Sequence, residues 1–468
     1  MSLHVLKFGG TSVGSTAAIN AAAEIACTRA REHQVVVVVS AMSGVTDALL
    51  RGAYAAVGGD GQTYIDIASE LERKHLATAR ELTTDDNEMR ALENNVGRLL
   101  DEFRTLCHSV QVLGELTPRA IDAISGLGER MSAPLVAAAL RHRGARAAAF
   151  DATTLIVTDE RFGDAVPQME LTRERVQAEL VPALQRGSVP VVTGFIGATE
   201  HGATTTLGRG GSDYSAAIIG ASLDADAVHI YTDVDGVMTT DPRIVASARV
   251  IRSLSYEEIG ELAWFGAKVL HPKTIRPVVE RDIMLVVRNT FNPEHPGTII
   301  VRQSQAVEGT IKAVTAIRNL SILTVAGRGM LGIPGVAART FGAVARVSAS
   351  VLMISQASSE QSICFVVPSV TSAAVTEELQ NELRAELERR DIDGILAQDN
   401  VVIVTVVGAG MRGTPGVAGQ VFGVLGNERI NIHAIAQGSS ECSISLVVDA
   451  QDTDRAIERI HDLTAVIA

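Results

Sequence analysis

The chain reads as an α/β protein: a mainly parallel sheet sandwiched by helices over residues 1–298, then two small α+β units over 310–398 and 399–468. Three observations predict this. Short β-branched apolar runs alternate with alanine-rich helical stretches up to about residue 290. The segment Asn289 to Thr298, NTFNPEHPGT, carries two prolines, a glycine and two asparagines and reads as a domain exit. Beyond it the sequence repeats itself: Gly327 corresponds to Gly408, Gly335 to Gly416, Gln356 to Gln437 and Glu360 to Glu441, each pair 81 positions apart.

Taken in order, HVLKF is the first strand, about Ala17 to His33 the first helix and VVVVVSAM the second strand, with further strands at ARAAAFDA, VPVVTGFIGA, DAVHIYTDV and IMLVVRN. Continuously apolar strands separated by helices indicate a parallel sheet covered on both faces. Ligands of such sheets collect at the carboxyl ends of the strands, where FGGTSVG, SAMSGVTD and TGFIGATEHGATTTLGRGGSD all fall. The charged stretch from about Asp60 to Thr117 reads as a helical insertion beside that site. Each repeated unit reads strand, glycine loop, helix, strand, strand, helix, with an antiparallel sheet. Val314 to Ile317, Ile392 to Leu396 and Ala465 to Ala468 compete to complete the sheets, so strand exchange between the units is open.

Composition narrows the function. Of 468 residues 46% are hydrophobic but only 3% aromatic, and the net charge is −13, which argues against a nucleic-acid partner. Cys27, Cys107, Cys364 and Cys442 lie far apart, without metal-ligand spacing, and read as reduced thiols. The start MSLHVLKFGG enters a strand without a signal-peptide region, and Val35 to Val39 is too short to span a bilayer. A cytoplasmic protein without membrane partners is expected.

GRGGSD, Gly208 to Asp213, is the most informative segment. Glycines admit a ligand close to the backbone, a helix start offers free N–H groups, and Arg209 can grip a carboxylate or phosphate. Asp213 among these groups needs a cation nearby, or a capping role. No GxxxxGK[ST] occurs; instead Lys7 with Gly9 and Gly10 can cradle phosphate. YTDVDGVMTTDPR offers Thr232, Asp233, Asp235, Asp241 and Arg243, or is simply a turn-rich loop. FGAKVLHPKT presents Lys268 and His271, the histidine reading as structural. Glu129 opens an apolar helix, where it could cap or, facing the cleft, bind an ammonium group. Both repeated units carry GxGxxG, at Gly327, Gly329, Gly332 and at Gly408, Gly410, Gly413. The following strands end in Gln356 and Gln437 rather than in an acidic residue, which argues against a dinucleotide. These glutamines suit the head group of an amino acid.

In this order KFGGTSVG, SAMSGVTD, GLGERMS, TLGRGGSDYSAA, YTDVDGVMTTDPR and FGAKVLHP closely resemble the aspartate kinases of the amino acid kinase superfamily, and the duplicated unit resembles that family's pair of ACT domains. The resemblance implies ATP- and Mg²⁺-dependent phosphorylation of the β-carboxylate of L-aspartate. It implies Lys7, Asp213 and Lys268 as catalytic groups, and Thr46, Glu129, Arg209 and Ser212 as aspartate contacts. Nucleotide contacts would be Lys7, Phe8, Gly9, Gly10, Thr232, Asp233, Met238, Arg243, Lys268 and Val269; relatives commonly have tyrosine where Met238 stands. No protein metal ligand is assigned. An amino-acid effector would bind near Ile354, Gln356, Ile435, Gln437, Gly335 and Gly416. QASSE and QGSSE favour threonine, with lysine the alternative effector. The resemblance further implies a homodimer or larger assembly through the ACT domains; as the sequence stops just after the second such unit, no fused homoserine dehydrogenase domain is expected. A kinase for another small acid, or a catalytically silent amino-acid sensor, are the competing readings.

Overall fold

The computed structural model describes residues 1–265, 270, 272–303, 311–327, 335–356, 361–438 and 440–464. The chain forms two compact units, one of Met1–Val237, Arg252–Tyr256 and Val269–Ser304, the other of Met238–Ile251, Glu257–Lys268 and Gln305–Ala468.

The first unit is built on an eight-stranded sheet in the order Ala147–Phe150, Val189–Thr193, Gln34–Val39, Leu3–Phe8, Ala227–Thr232, Met284–Asn289, Thr298–Val301 and Ser253–Ser255. Its first six strands run parallel, and the turn at Asn289 to Thr298 reverses the chain into an antiparallel seventh. Leu3–Phe8 and Gln34–Val39 are buried almost throughout, as a sheet covered on both faces requires. Between them runs the helix Thr16–Ala30, whose first turn is capped by Ser15 Oγ accepting from the Ala18 N–H at 3.2 Å. It stops three residues before the expected His33. The last residues turn so that the Gln34 N–H can reach the Ser2 carbonyl at 2.9 Å and start the parallel ladder.

The charged stretch forms two long helices, Gly61–Leu82 and Asp86–Leu113, each started by an aspartate, Asp60 or Asp85, that accepts two backbone N–H groups. Leu92, Val96, Leu99, Phe103, Cys107 and Val110, spaced three or four apart, bury one stripe of the second helix. Lys74 on the first donates to the Ser43 carbonyl at 2.6 Å, tying the insertion to the loop after the second strand. Among the described residues no helix is long and apolar enough to cross a membrane.

The second unit holds a six-stranded antiparallel sheet: Met353–Gln356, Ser362–Pro368, Ala313–Ala326, Gly394–Val407, Ser443–Asp449 and Ala434–Gln437. Its middle pair is long. Ala313 to Ile317 lie opposite Val407 to Ile403, and after an irregularity Ile322 to Ala326 lie opposite Gln398 to Gly394. Each long strand therefore serves both repeats; Ala465 to Ala468 lie outside the described residues. Helices Val336–Arg346 and Ser369–Glu382 cover one half, Val417–Asn427 and Thr453–His461 the other.

The helix Tyr256–Trp264 enters this unit through carboxylates. Glu258 is fully buried and meets Lys312 Nζ at 2.9 Å, accepts the Ala409 N–H at 2.7 Å, and has Glu261 beside it accepting Ser443 Oγ at 2.8 Å. Removing one partner of so buried a pair leaves a charge in a dry interior. We predict that Lys312→Met destabilises the chain by about 3–5 kcal/mol, and that adding Glu258→Gln restores at least half. Urea midpoints for the wild type, single and double variants check this.

Candidate functional site

A cavity of about 390 Å³ opens where the central strands end and their loops begin. Its lining includes Lys7, Gly10, Thr46, Glu129, Arg209, Ser212 and Asp213, from segments up to two hundred residues apart in sequence.

Lys7 is the penultimate residue of the first strand and nearly buried. Its ammonium reaches Asp213 Oδ1 at 2.5 Å, with the two side chains only 10% and 15% exposed. This is the cation that Asp213 required. Gly9 donates its N–H to the Tyr231 carbonyl at 3.2 Å, and a Cβ on Gly10 would stand 3.2 Å from the Ala41 carbonyl, so the turn packs tightly against both neighbouring strand ends. The Phe8 side chain points away from this work: it is fully buried and stacks on Tyr231 at a centroid distance of 4.9 Å.

GRGGSD opens the helix Gly211–Ser222. Gly208 and Gly210 take φ of 76° and 72°, the left-handed region that favours glycine, and between them Arg209 stays exposed at the cavity rim. Ser212 and Asp213 lie in the first helical turn, where free N–H groups favour an anion. Thr46 stands at the start of the helix Val45–Val57, after Gly44 at φ 77°.

Glu129 lies in the first turn of the helix Leu127–His142, but faces the cavity. It is 3% exposed, and its Oε2 has no hydrogen-bond partner. Burial pushes its carboxyl up to about 8, offset only in part by the Ala41 N–H and the charge on Lys7. Among the described residues nothing donates to this buried Oε2, which lies at the cavity wall.

Sequence reasoning missed Gly194 and Phe195. Phe195 lines the cavity at φ 70°, an unusual conformation for a bulky residue, held by its N–H donating to Ser215 Oγ at 2.9 Å. A Cβ on Gly194 would come within 2.9 Å of both the Val39 carbonyl and Ser212 Cβ. We predict that Gly194→Ala costs about 1–3 kcal/mol through overpacking and, by displacing Ser212, lowers kcat/KM at least tenfold. A variant with wild-type kinetics and a lowered melting point would sink the positional part of this claim.

The remaining candidates lie elsewhere. Thr232 ends the strand beside Leu3–Phe8 and Asp233 follows it, the threonine hydroxyl donating to Asp233 Oδ1 at 3.1 Å. Asp235 accepts from Asn289 at 2.8 Å and Asn292 at 3.0 Å, as a loop-forming residue does. Met238 and Arg243 belong to the second unit, Met238 bridging Val250 and Arg243 reaching Asp241 at 2.6 Å. Lys268, Val269 and His271 lie outside the described residues. So do Gly329 and Gly332. In the second unit, Gly335 and Gly416 start the helices Val336–Arg346 and Val417–Asn427 at φ 93° and 90°. Ile354 and Ile435 are 50% and 42% exposed on the two edge strands, and Gln356 and Gln437 end those strands, also exposed. Among the described residues no group of three or more His, Cys, Asp or Glu could hold a metal ion.

A parallel sheet with a cavity at its strand ends suits the amino acid kinase family, and the duplicated α+β unit suits a pair of ACT domains. Residues 2–289 match the amino acid kinase family, and residues 323–383 and 404–463 each match the ACT domain. The chain is 39% identical over 467 residues to the bifunctional aspartokinase/homoserine dehydrogenase of Daucus carota; this covers 98% of the chain and 50% of the carrot protein, so the chain spans about half the length of such relatives. It is 32% identical to the lysine-sensitive aspartokinase 3 of Escherichia coli, covering 98% of both. The crystal structure of E. coli aspartokinase III in complex with aspartate and ADP superposes with a TM-score of 0.82, at 32% identity, over 98% of this chain and 99% of that one. The complex of the same enzyme with lysine and aspartate gives 0.78, at 32% identity, over 99% of this chain and 100% of that one. The chain belongs to the aspartokinases of the amino acid kinase family.

Proposed function

We propose that this chain transfers the γ-phosphoryl group of ATP to the β-carboxylate of L-aspartate, giving ADP and 4-phospho-L-aspartate. The observation that carries the reading is the convergence of Lys7, Glu129, Arg209 and Asp213 on one cavity. Glu129 receives the substrate ammonium, and Arg209 with Ser212 and Thr46 receives the α-carboxylate. These contacts leave the β-carboxylate to attack. A carboxylate is already a competent nucleophile, so catalysis is alignment plus neutralisation of charge between two anions. Lys7, oriented by Asp213, neutralises the phosphoryl group in transfer, and the Gly9-Gly10 turn lets the phosphates approach the backbone closely. Thr232 and Asp233, at the neighbouring strand end, are further nucleotide contacts. Mg²⁺, carried by the nucleotide's own phosphates, would supply further neutralisation.

Trapping the acyl phosphate with hydroxylamine tests this. Aspartate should give hydroxamate at least a hundredfold faster than glutamate or other small acids. Turnover with none of them would favour a silent sensor, and preference for another acid would replace the substrate.

L-Threonine is the effector we assign to the ACT pair, bound near Gln356 and Gln437 in a cytoplasmic homo-oligomer. Support comes from the equivalent exposed positions of these glutamines at the two edge strands. The E. coli relative is lysine-sensitive, which makes lysine the comparison. Activity measured against each amino acid should fall with threonine and not with lysine; the opposite pattern would reverse the assignment.

A further inference from the structure

The first unit has a second charged cavity, at the opposite ends of the strands. It measures about 400 Å³ and is lined by Arg31, Arg143, Arg146 and Arg186, together with Cys27 and two glycine turns. Three of the arginines follow directly on the helices Thr16–Ala30, Leu127–His142 and Met169–Gln185, and Arg146 precedes the edge strand Ala147–Phe150. In a chain of net charge −13, four guanidinium groups around one hollow call for an explanation.

A cation at a helix end has an ordinary reason, since it offsets the dipole there. That reason is too small here. Three helix ends contribute about −0.5 charge each, whereas the arginines contribute +4, and among the described residues the acid within ion-pair reach of any of them is Glu24, 3.6 Å from Arg143 and itself 71% exposed. Arg143 otherwise donates to the Ala139 carbonyl at 3.2 Å and Arg146 to the Arg186 carbonyl at 3.3 Å, contacts that hold the side chains in place without neutralising them. Gly144 and Gly187, at φ 83° and 71°, turn the chain away, and a Cβ on either would meet nothing within 4 Å, so the rim stays open.

We propose that this hollow is a binding site for a small phosphorylated metabolite, separate from the kinase cavity. Guanidinium forks recognise phosphate oxygens in pairs, and the volume suits one small molecule rather than a polymer. The net negative charge elsewhere on the chain disfavours nucleic acid and leaves a compact dianion as the fitting class.

Equilibrium dialysis of radiolabelled pyrophosphate tests this, using the full chain carrying Lys7→Ala to weaken the kinase cavity. We expect one bound pyrophosphate per chain, with affinity reduced at least tenfold by adding Arg143→Gln and Arg186→Gln. Cys27 supplies a local readout: pyrophosphate should slow its alkylation several-fold in the first protein and not in the second. Equal pyrophosphate affinity with and without the two arginines, or no binding in either, would overturn the proposal. Circular dichroism of the triple variant ensures that a lost site is not a lost fold.

Discussion

Lys7→Met should lower kcat by about 10³-fold, the scale seen when one preorganised charge facing a developing anion is removed. The methionine keeps most of the side-chain volume in a strand whose six residues are all buried. The substitution nevertheless strands Asp213, whose carboxylate is only 15% exposed and loses its 2.5 Å partner. Stability must therefore fall too, by a few kcal/mol if the carboxylate stays charged. The two effects separate in the double variant. Lys7→Met with Asp213→Asn removes the stranded charge and should recover most of the melting point while leaving kcat as low as in the single variant. Activity returning along with stability would mean that Lys7 serves the fold alone. A single variant with near-normal turnover would refute the catalytic assignment.

Glu129→Gln should raise KM for aspartate about a hundredfold and change the pH behaviour in an opposite sense for stability. With the folded carboxyl raised to about 8 from an ordinary value of 4.5, the native state binds a proton that the unfolded chain releases. That contribution to stability is fully present below the ordinary value and is lost as pH rises through 8. Glutamine cannot be deprotonated, so the ligand-free variant should melt above the wild type at pH 8.5, the difference shrinking toward pH 5. Binding supplies the converse signature. At pH 7 roughly nine in ten free molecules hold this proton, and a substrate ammonium bound there should expel it. Calorimetric titration of aspartate in buffers of different ionisation enthalpy should show close to one proton released by the wild type and none by the variant. Identical proton counts would remove Glu129 from the ammonium site.

Much of this was legible in the sequence. Alternation of apolar runs and helices indicated the parallel sheet, because strands buried on both faces have no polar side to display. GRGGSD and KFGG announced themselves because glycine is needed where a backbone turns left-handed or approaches a neighbour closely, as Gly208, Gly210 and Gly10 do. Glu129 was ambiguous for a physical reason: a carboxylate in the first turn of a helix is favoured whether or not it faces a ligand. Gly194 and Phe195 were illegible because what constrains them, Val39, Ser212 and Ser215, is distant in sequence. The arginine hollow was hidden in the same way. Arg31, Arg143 and Arg186 each look like an ordinary helix end, and only the packing of three helices against one sheet gathers them.

The strands Ala313–Ala326 and Gly394–Val407 change what a half of the regulatory unit can mean. Each donates one end to one repeat and the other end to its twin. A piece carrying the first repeat alone would expose Ala313–Ala326 along a whole edge, a template for pairing with stray chains. Excision of either copy would thus yield an aggregation-prone remnant instead of a smaller sensor. Substitutions in the first repeat's hydrophobic interior should be felt as stability changes in the second. The two repeats form one indivisible object, and a substitution in either half acts on both.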